Sequence, residues 1–173
     1  GKGSGTLATC FGIPLNPDAQ NAPACNKSLD QLLLDPFPDP ARSGLMPEMR
    51  ERIELIKKHV PDDFKISLPD MQGPFNLAHL ILGTDVFLAP YTDPGKFHAA
   101  MQRITDVWLQ VRQTLSDWIG PERLYPGYNL VCECSVNMIS PEMYREFVLP
   151  CDRKIAETIG SISIHPCSGP HVF

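Results

Sequence analysis

The sequence has no apolar run near the roughly 18 residues that a membrane-spanning helix requires, and its opening Gly1-Lys2-Gly3-Ser4-Gly5 lacks the parts of a secretory signal. It also lacks an excess of positive charge: 15 lysines and arginines face 20 aspartates and glutamates, for a net charge of −5. A phosphate backbone or an anionic bilayer calls for a basic surface, so neither nucleic acid nor membrane is expected as a partner. There is no disulfide framework either. Six cysteines, at positions 10, 25, 132, 134, 151 and 167, are scattered through 173 residues and read as reduced thiols of a cytoplasmic protein. Repeats and low-complexity tracts are missing as well. What remains is ordinary globular composition, 43% hydrophobic and 20% charged, enough for one core.

Residues 1–44 read as an N-terminal arm and loop. Thr6 to Leu15 is expected to be extended, ended by Gly12 and Pro14; a short apolar turn follows at Leu29 to Leu34, and four prolines between 36 and 47 forbid a continuous helix there. Residues 45–173 read as βα units. Pro47 suits a first helical turn, and Met46, Met49, Ile53, Ile56 and Val60 recur at helical spacing. Phe64 to Leu68 alternates as a strand, and a short helix from Phe75 closes at Gly83. Asp93 and Pro94 open a long helix whose stripe runs from Phe97 through Trp108 to Trp118, stopped by Gly120-Pro121. Asn129 to Cys134 is a second strand, Ser140-Pro141-Glu142 starts another helix, and Ser161 to His165 is a third strand.

Strand, helix, strand, helix, strand, with crossover-length helices, predicts an α/β fold with about three parallel strands and flanking helices. In such folds the chemistry gathers where strands end. Three segments qualify: Asp70 to Pro74, Glu133 to Asn137, and His165 to Gly169. Residues two apart in an extended segment point the same way, so His165 and Cys167 can reach one cation, and zinc favours that ligand mix. The plain alternative is a hydrogen-bonded histidine beside a small buried cysteine. Cys132 and Cys134 are expected on one strand face with Glu133 on the other; Glu133 is then either a buried site carboxylate or one paired with an Arg or Lys. Asp70 and Gln72 either grip substrate or fix the turn before Gly73-Pro74. His79 and His98 read as surface or satisfied core residues.

Three stretches carry a resemblance: QGPFNLAHLILG at 72–83, CECSVNMISPEMYREFVLPCDRKI at 132–155 and SIHPCSG at 163–169. Through them the chain resembles the uroporphyrinogen decarboxylase (URO-D) superfamily from about Thr9 to Gly169. The resemblance implies a (β/α)8 TIM barrel, here an incomplete one: a single domain over 1–173 that lacks the first strand region and the last several strands. It also implies a choice of branch. The decarboxylases place a tyrosine near the position of Leu80, where this chain has none, and a serine where Cys134 stands. The zinc-dependent methyltransferases carry His-x-Cys-Gly at the strand end supplied by His165 and Cys167, although Ser168 intervenes before Gly169. Their remaining zinc ligand is a cysteine well downstream, expected outside this chain.

The expected function is therefore thiol activation by zinc for methyl transfer from a methylcorrinoid, with a corrinoid protein as partner. His165 and Cys167 would be metal ligands, Glu133 and Asp70 catalytic, and Gln72, Gly73, Cys134 and Asn137 substrate-binding. The alternatives are a decarboxylase acting on a tetrapyrrole in porphyrin synthesis, and a non-catalytic barrel piece that covers its open edges as a homo-oligomer.

Overall fold

The computed structural model describes residues 5–15, 26–127 and 129–166. The first element is a helix, α1 (Thr6–Cys10), where an extended arm is expected. All five of its residues are buried, so tertiary packing overrides the weak local pattern. Thr9 sits against Gly44, where an added Cβ would lie 2.4 Å from the Thr9 carbonyl carbon, and the Thr9 hydroxyl accepts from the Leu45 N–H at 3.0 Å. This close approach needs glycine at 44, which also adopts φ +56°.

The apolar turn at 29–34 is likewise a helix, α2 (Leu29–Leu34), and the reason is readable in hindsight. Ser28 and Gln31 form a reciprocal capping box, the side chain of each bonding the other's backbone N–H. The next helix, α3 (Met46–His59), starts on Pro47 and carries Lys57, Lys58 and His59 in its last turn, as its negative end favours. It buries Met46 and Ile53.

Helix α4 (Pro74–Leu82) leads through a 3-10 turn at Gly83–Phe87 and the short α5 (Ala89–Thr92) into the 26-residue α6 (Pro94–Ile119). Asp93 caps α6 by accepting from the Lys96 N–H at 3.0 Å, and Phe97, Met101, Ile104, Trp108, Val111, Leu115 and Ile119 form its buried stripe. Strand β1 (Leu130–Cys132) follows, then a 3-10 turn at Cys134–Met138. The last helical region is α7 (Pro141–Met143), a π-helical turn at Tyr144–Val148 and α8 (Leu149–Ile159), before β2 (Ser163–His165).

β1 and β2 pair in parallel, with Leu130, Val131 and Cys132 opposite Ser163, Ile164 and His165. The expected strand at 64–68 is reduced to parallel bridges, Ile66 with Leu124 and Gln72 with Cys132. The reason is register: between those bridges residues 66 to 72 face the longer stretch 124 to 132, which contains Pro126-Gly127, so no continuous ladder can form. The result is a barrel-like sector, rich in helix, with its parallel strand ends aligned. The Trp108 Nε1–H donates to the Gln72 carbonyl at 3.0 Å, which fixes α6 behind them. Among the described residues no helix is long and apolar enough to cross a membrane.

Candidate active site at the strand ends

Glu133 leaves β1 with φ −111° and ψ 49°, which turns its side chain inward until no surface remains exposed. There it meets the start of α4. Pro74, the first residue of that helix, has no N–H, so the first free donors are Phe75 and Asn76; Glu133 Oε1 accepts from the Phe75 N–H and Oε2 from the Asn76 N–H, each at 3.0 Å. The positive end of the helix thus stands where one of the two readings put an Arg or Lys, and no such cation pairs with Glu133 among the described residues. Gly73 makes the approach possible: a Cβ there would lie 2.3 Å from the Glu133 carboxyl carbon.

Burial raises the Glu133 carboxyl well above its ordinary range, and the nearby negative charge of Asp152 raises it further; the two amides oppose the shift. Asp152 on α8 is buried too, and burial raises its carboxyl while the Tyr144 hydroxyl, donating at 2.8 Å, opposes that. Its other oxygen has no hydrogen-bond partner among the described residues. Like charges this close do not both ionise at little cost, so the pair retains a proton beyond the usual carboxylate range.

Asp70 is exposed at the lip of a cleft of about 440 Å³ between α3 and residues 66–70, walled by Met49, Ile53, Ile66, Leu68 and Ile119. Its Oδ2 accepts from Gln72 Nε2 at 2.9 Å. Gln72 and Asn76 are both buried; Gln72 Oε1 accepts from Asn76 Nδ2 at 2.5 Å, and Asn76 Oδ1 accepts from the Ser135 N–H at 2.6 Å. Cys132, between Gln72 and His165 in the parallel array, is a buried free thiol pushed up to about 12 by burial and by Asp70, so it stays protonated. His79 Nδ1 lies 2.9 Å from Ser135 Oγ, with its ring edge-on to Phe87; burial lowers its pKa and favours the neutral ring.

His165 ends β2, exposed, and its carbonyl accepts from the Glu133 N–H at 3.0 Å. Cys167 lies outside the described residues. Among the described residues no group of three or more His, Cys, Asp or Glu is placed to hold a metal, so His165 does not complete a zinc site with them. Strand alternation stops at Cys132, because Cys134 already opens the 3-10 turn. Cys134 is disulfide-bonded, which corrects the reading of every cysteine as a reduced thiol; Cys10, Cys132 and Cys151 are free. Asn137 donates from Nδ2 to the Cys134 and Pro166 carbonyls and ties the turn to the segment after β2.

Glu133, Asp70, Gln72 and Gly73 therefore share one floor with the His165 backbone. Sequence reading missed Asn76, Tyr144 and Asp152 as members of it. Asn76 is the one polar residue in the first turn of α4, a usable signal. Asp152 gives none: eight α-helical residues would set it about 80° from the Tyr144 face. The wider π turn brings the two together.

Comparison with known proteins adds the following. A family described as uroporphyrinogen decarboxylase (URO-D) matches residues 6–172. A methylated-thiol–coenzyme M methyltransferase of Methanosarcina mazei is 31% identical over 127 residues, 72% of this chain and 33% of that protein. The structure of a methyltransferase from Methanosarcina mazei superposes with a TM-score of 0.69 at 18% identity, over 92% of this chain and 48% of its own. The chain thus spans between a third and a half of the length of the relatives it matches.

Proposed function

This chain belongs to the uroporphyrinogen decarboxylase (URO-D) family, and from that premise we propose that it is part of a methyltransferase that joins a methyl group to a small-molecule thiol. The observation that carries the reading is the floor shared by Glu133, Asp70 and the His165 strand end, in a chain whose 31%-identical relative is a methylated-thiol–coenzyme M methyltransferase. A thiol must lose its proton before its sulfur attacks, because the thiolate is the nucleophile. Asp70 is the exposed carboxylate of the floor, and it takes that proton. The sulfur then forms a bond to the methyl carbon of a methylcorrinoid, presented by a corrinoid protein, and the donor keeps the electron pair of the broken bond.

Zinc, held by His165, Cys167 and a third ligand outside this chain, would supply a Lewis acid that lowers the thiol pKa. Glu133, buried behind the floor, fixes the start of α4 and so orients substrate indirectly, while Gln72, Cys134 and Asn137 would line the approach.

The test uses the full-length protein with methylcobalamin and a small thiol. Thioether formation is expected, together with one zinc per protein that is lost on His165→Ala and Cys167→Ala. Conversion of uroporphyrinogen without methyl transfer, or zinc content unchanged by both substitutions, would overturn the proposal.

A further inference from the structure

A backbone N–H can only donate, and that elementary fact orients a chain of side chains across the site. The Ser135 N–H points at the Asn76 side chain at 2.6 Å, so the atom facing it must be the amide oxygen. The Asn76 amide nitrogen is then turned to Gln72 at 2.5 Å, where it requires an acceptor, so Gln72 presents Oε1. Gln72 in turn has only its NH2 left for Asp70, and it donates to Oδ2 at 2.9 Å. Every donor runs in one sense, from Ser135 through Asn76 and Gln72 to Asp70. Asn76 and Gln72 are 6% and 7% exposed, so neither amide is free to exchange its partner for bulk water.

We propose that Asn76 and Gln72 are positioning residues, a one-way hydrogen-bond relay by which the turn after β1 holds the Asp70 carboxylate as an acceptor facing the cleft. Hydrogen bonds aligned head to tail polarise one another, so the relay is stiffer than three separate contacts. It sets one Asp70 oxygen against Gln72, the Cys132 thiol bonds the same carboxylate, and Asp70 is held where it lines the cleft. The relay connects two of the three strand-end segments, and Asn76 is its hub, because its own backbone N–H also holds Glu133. This rests on the reading of Asp70 as the proton acceptor only for its purpose; the direction of the relay stands or falls by itself, and stability measures it without any substrate.

The direction is testable by reversing it. Asn76→Asp places an acceptor where Gln72 now finds a donor, so the Gln72 amide must flip and turn its oxygen on Asp70. A loss of about 3–10 °C in Tm is expected for the full chain. Asp70→Asn added to that variant supplies a donor to the flipped Gln72 and recovers at least half of the loss. Asp70→Ala added instead removes the same negative charge but supplies no donor, and recovers clearly less. Equal recovery by asparagine and alanine would assign the effect to charge alone and overturn the relay, as would recovery by neither. If Asn76→Asp does not fold, Gln72→Glu creates the same mismatch with Asp70 and is read with the same two replacements.

Discussion

Helix α6 buries one stripe of hydrocarbon along 26 continuous residues, whereas the strand-end floor gathers Asp70, Gln72, Gly73 and Asn76 against Glu133, which follows Asn76 by 57 residues. The two regions are equally dry at their centres: Phe97 and Glu133 are each fully buried. They differ in what burial demands. Hydrocarbon asks for volume and gains from almost any neighbour of suitable shape. A buried carboxylate asks for donors at set positions, and each one missing costs the desolvation it was meant to offset. Size decides packing on α6, and position decides it on the floor.

The largest effect should come from α6. Phe97→Ala is expected to destabilise the chain by about 3–5 kcal/mol in denaturant unfolding, while Phe97→Leu, which keeps most of the volume, should cost about 1–2 kcal/mol. A leucine as damaging as an alanine would mean that α6 is as exacting as the floor. On the floor, one methyl group should be felt. Gly73→Ala puts a carbon 2.3 Å from the Glu133 carboxyl carbon and should cost about 1–3 kcal/mol. A neutral outcome in the same unfolding assay would show that the Glu133 side chain yields easily.

The third effect is smaller and depends on pH. Glu133 and Asp152 both have raised carboxyl pKa values, so between their unfolded and folded values the native state binds more protons than the unfolded chain. The penalty is absent below about pH 4 and grows as pH rises through the raised values, so stability should fall from weakly acidic to weakly basic solution. Asp152→Asn keeps an acceptor for Tyr144 and cannot ionise; it should flatten that slope and stabilise the chain at pH 8 by on the order of 1–2 kcal/mol. A slope unchanged in this variant would place the proton elsewhere.

The same contrast explains what could be read before the structure. Asp93-Pro94 and Gly120 bracket α6 almost to the residue, since caps and periodicity are local. Ser28 and Gln31 show the other side: their capping box was in the sequence, but six residues of helix lie below what periodicity resolves. At the site, Glu133 and Gly73 stood out by type and place, yet their mutual contact did not, because it joins two segments far apart in the chain. Asn76 looked like one more helical residue until Ser135 and Gln72 appeared on either side of it.

From the sequence alone come the two parallel strands β1 and β2 with helix between them, and the ends of α3 and α6. These rest on signals within a few residues of one another. Only the tertiary structure decided that helix amides rather than a cation hold Glu133, and that a π turn sets Tyr144 on Asp152. It alone decided that one N–H at Ser135 orients side chains as far as Asp70. Hydrogen bonds between distant segments depend on direction and on tenths of an ångström, and a linear pattern of residue types carries neither.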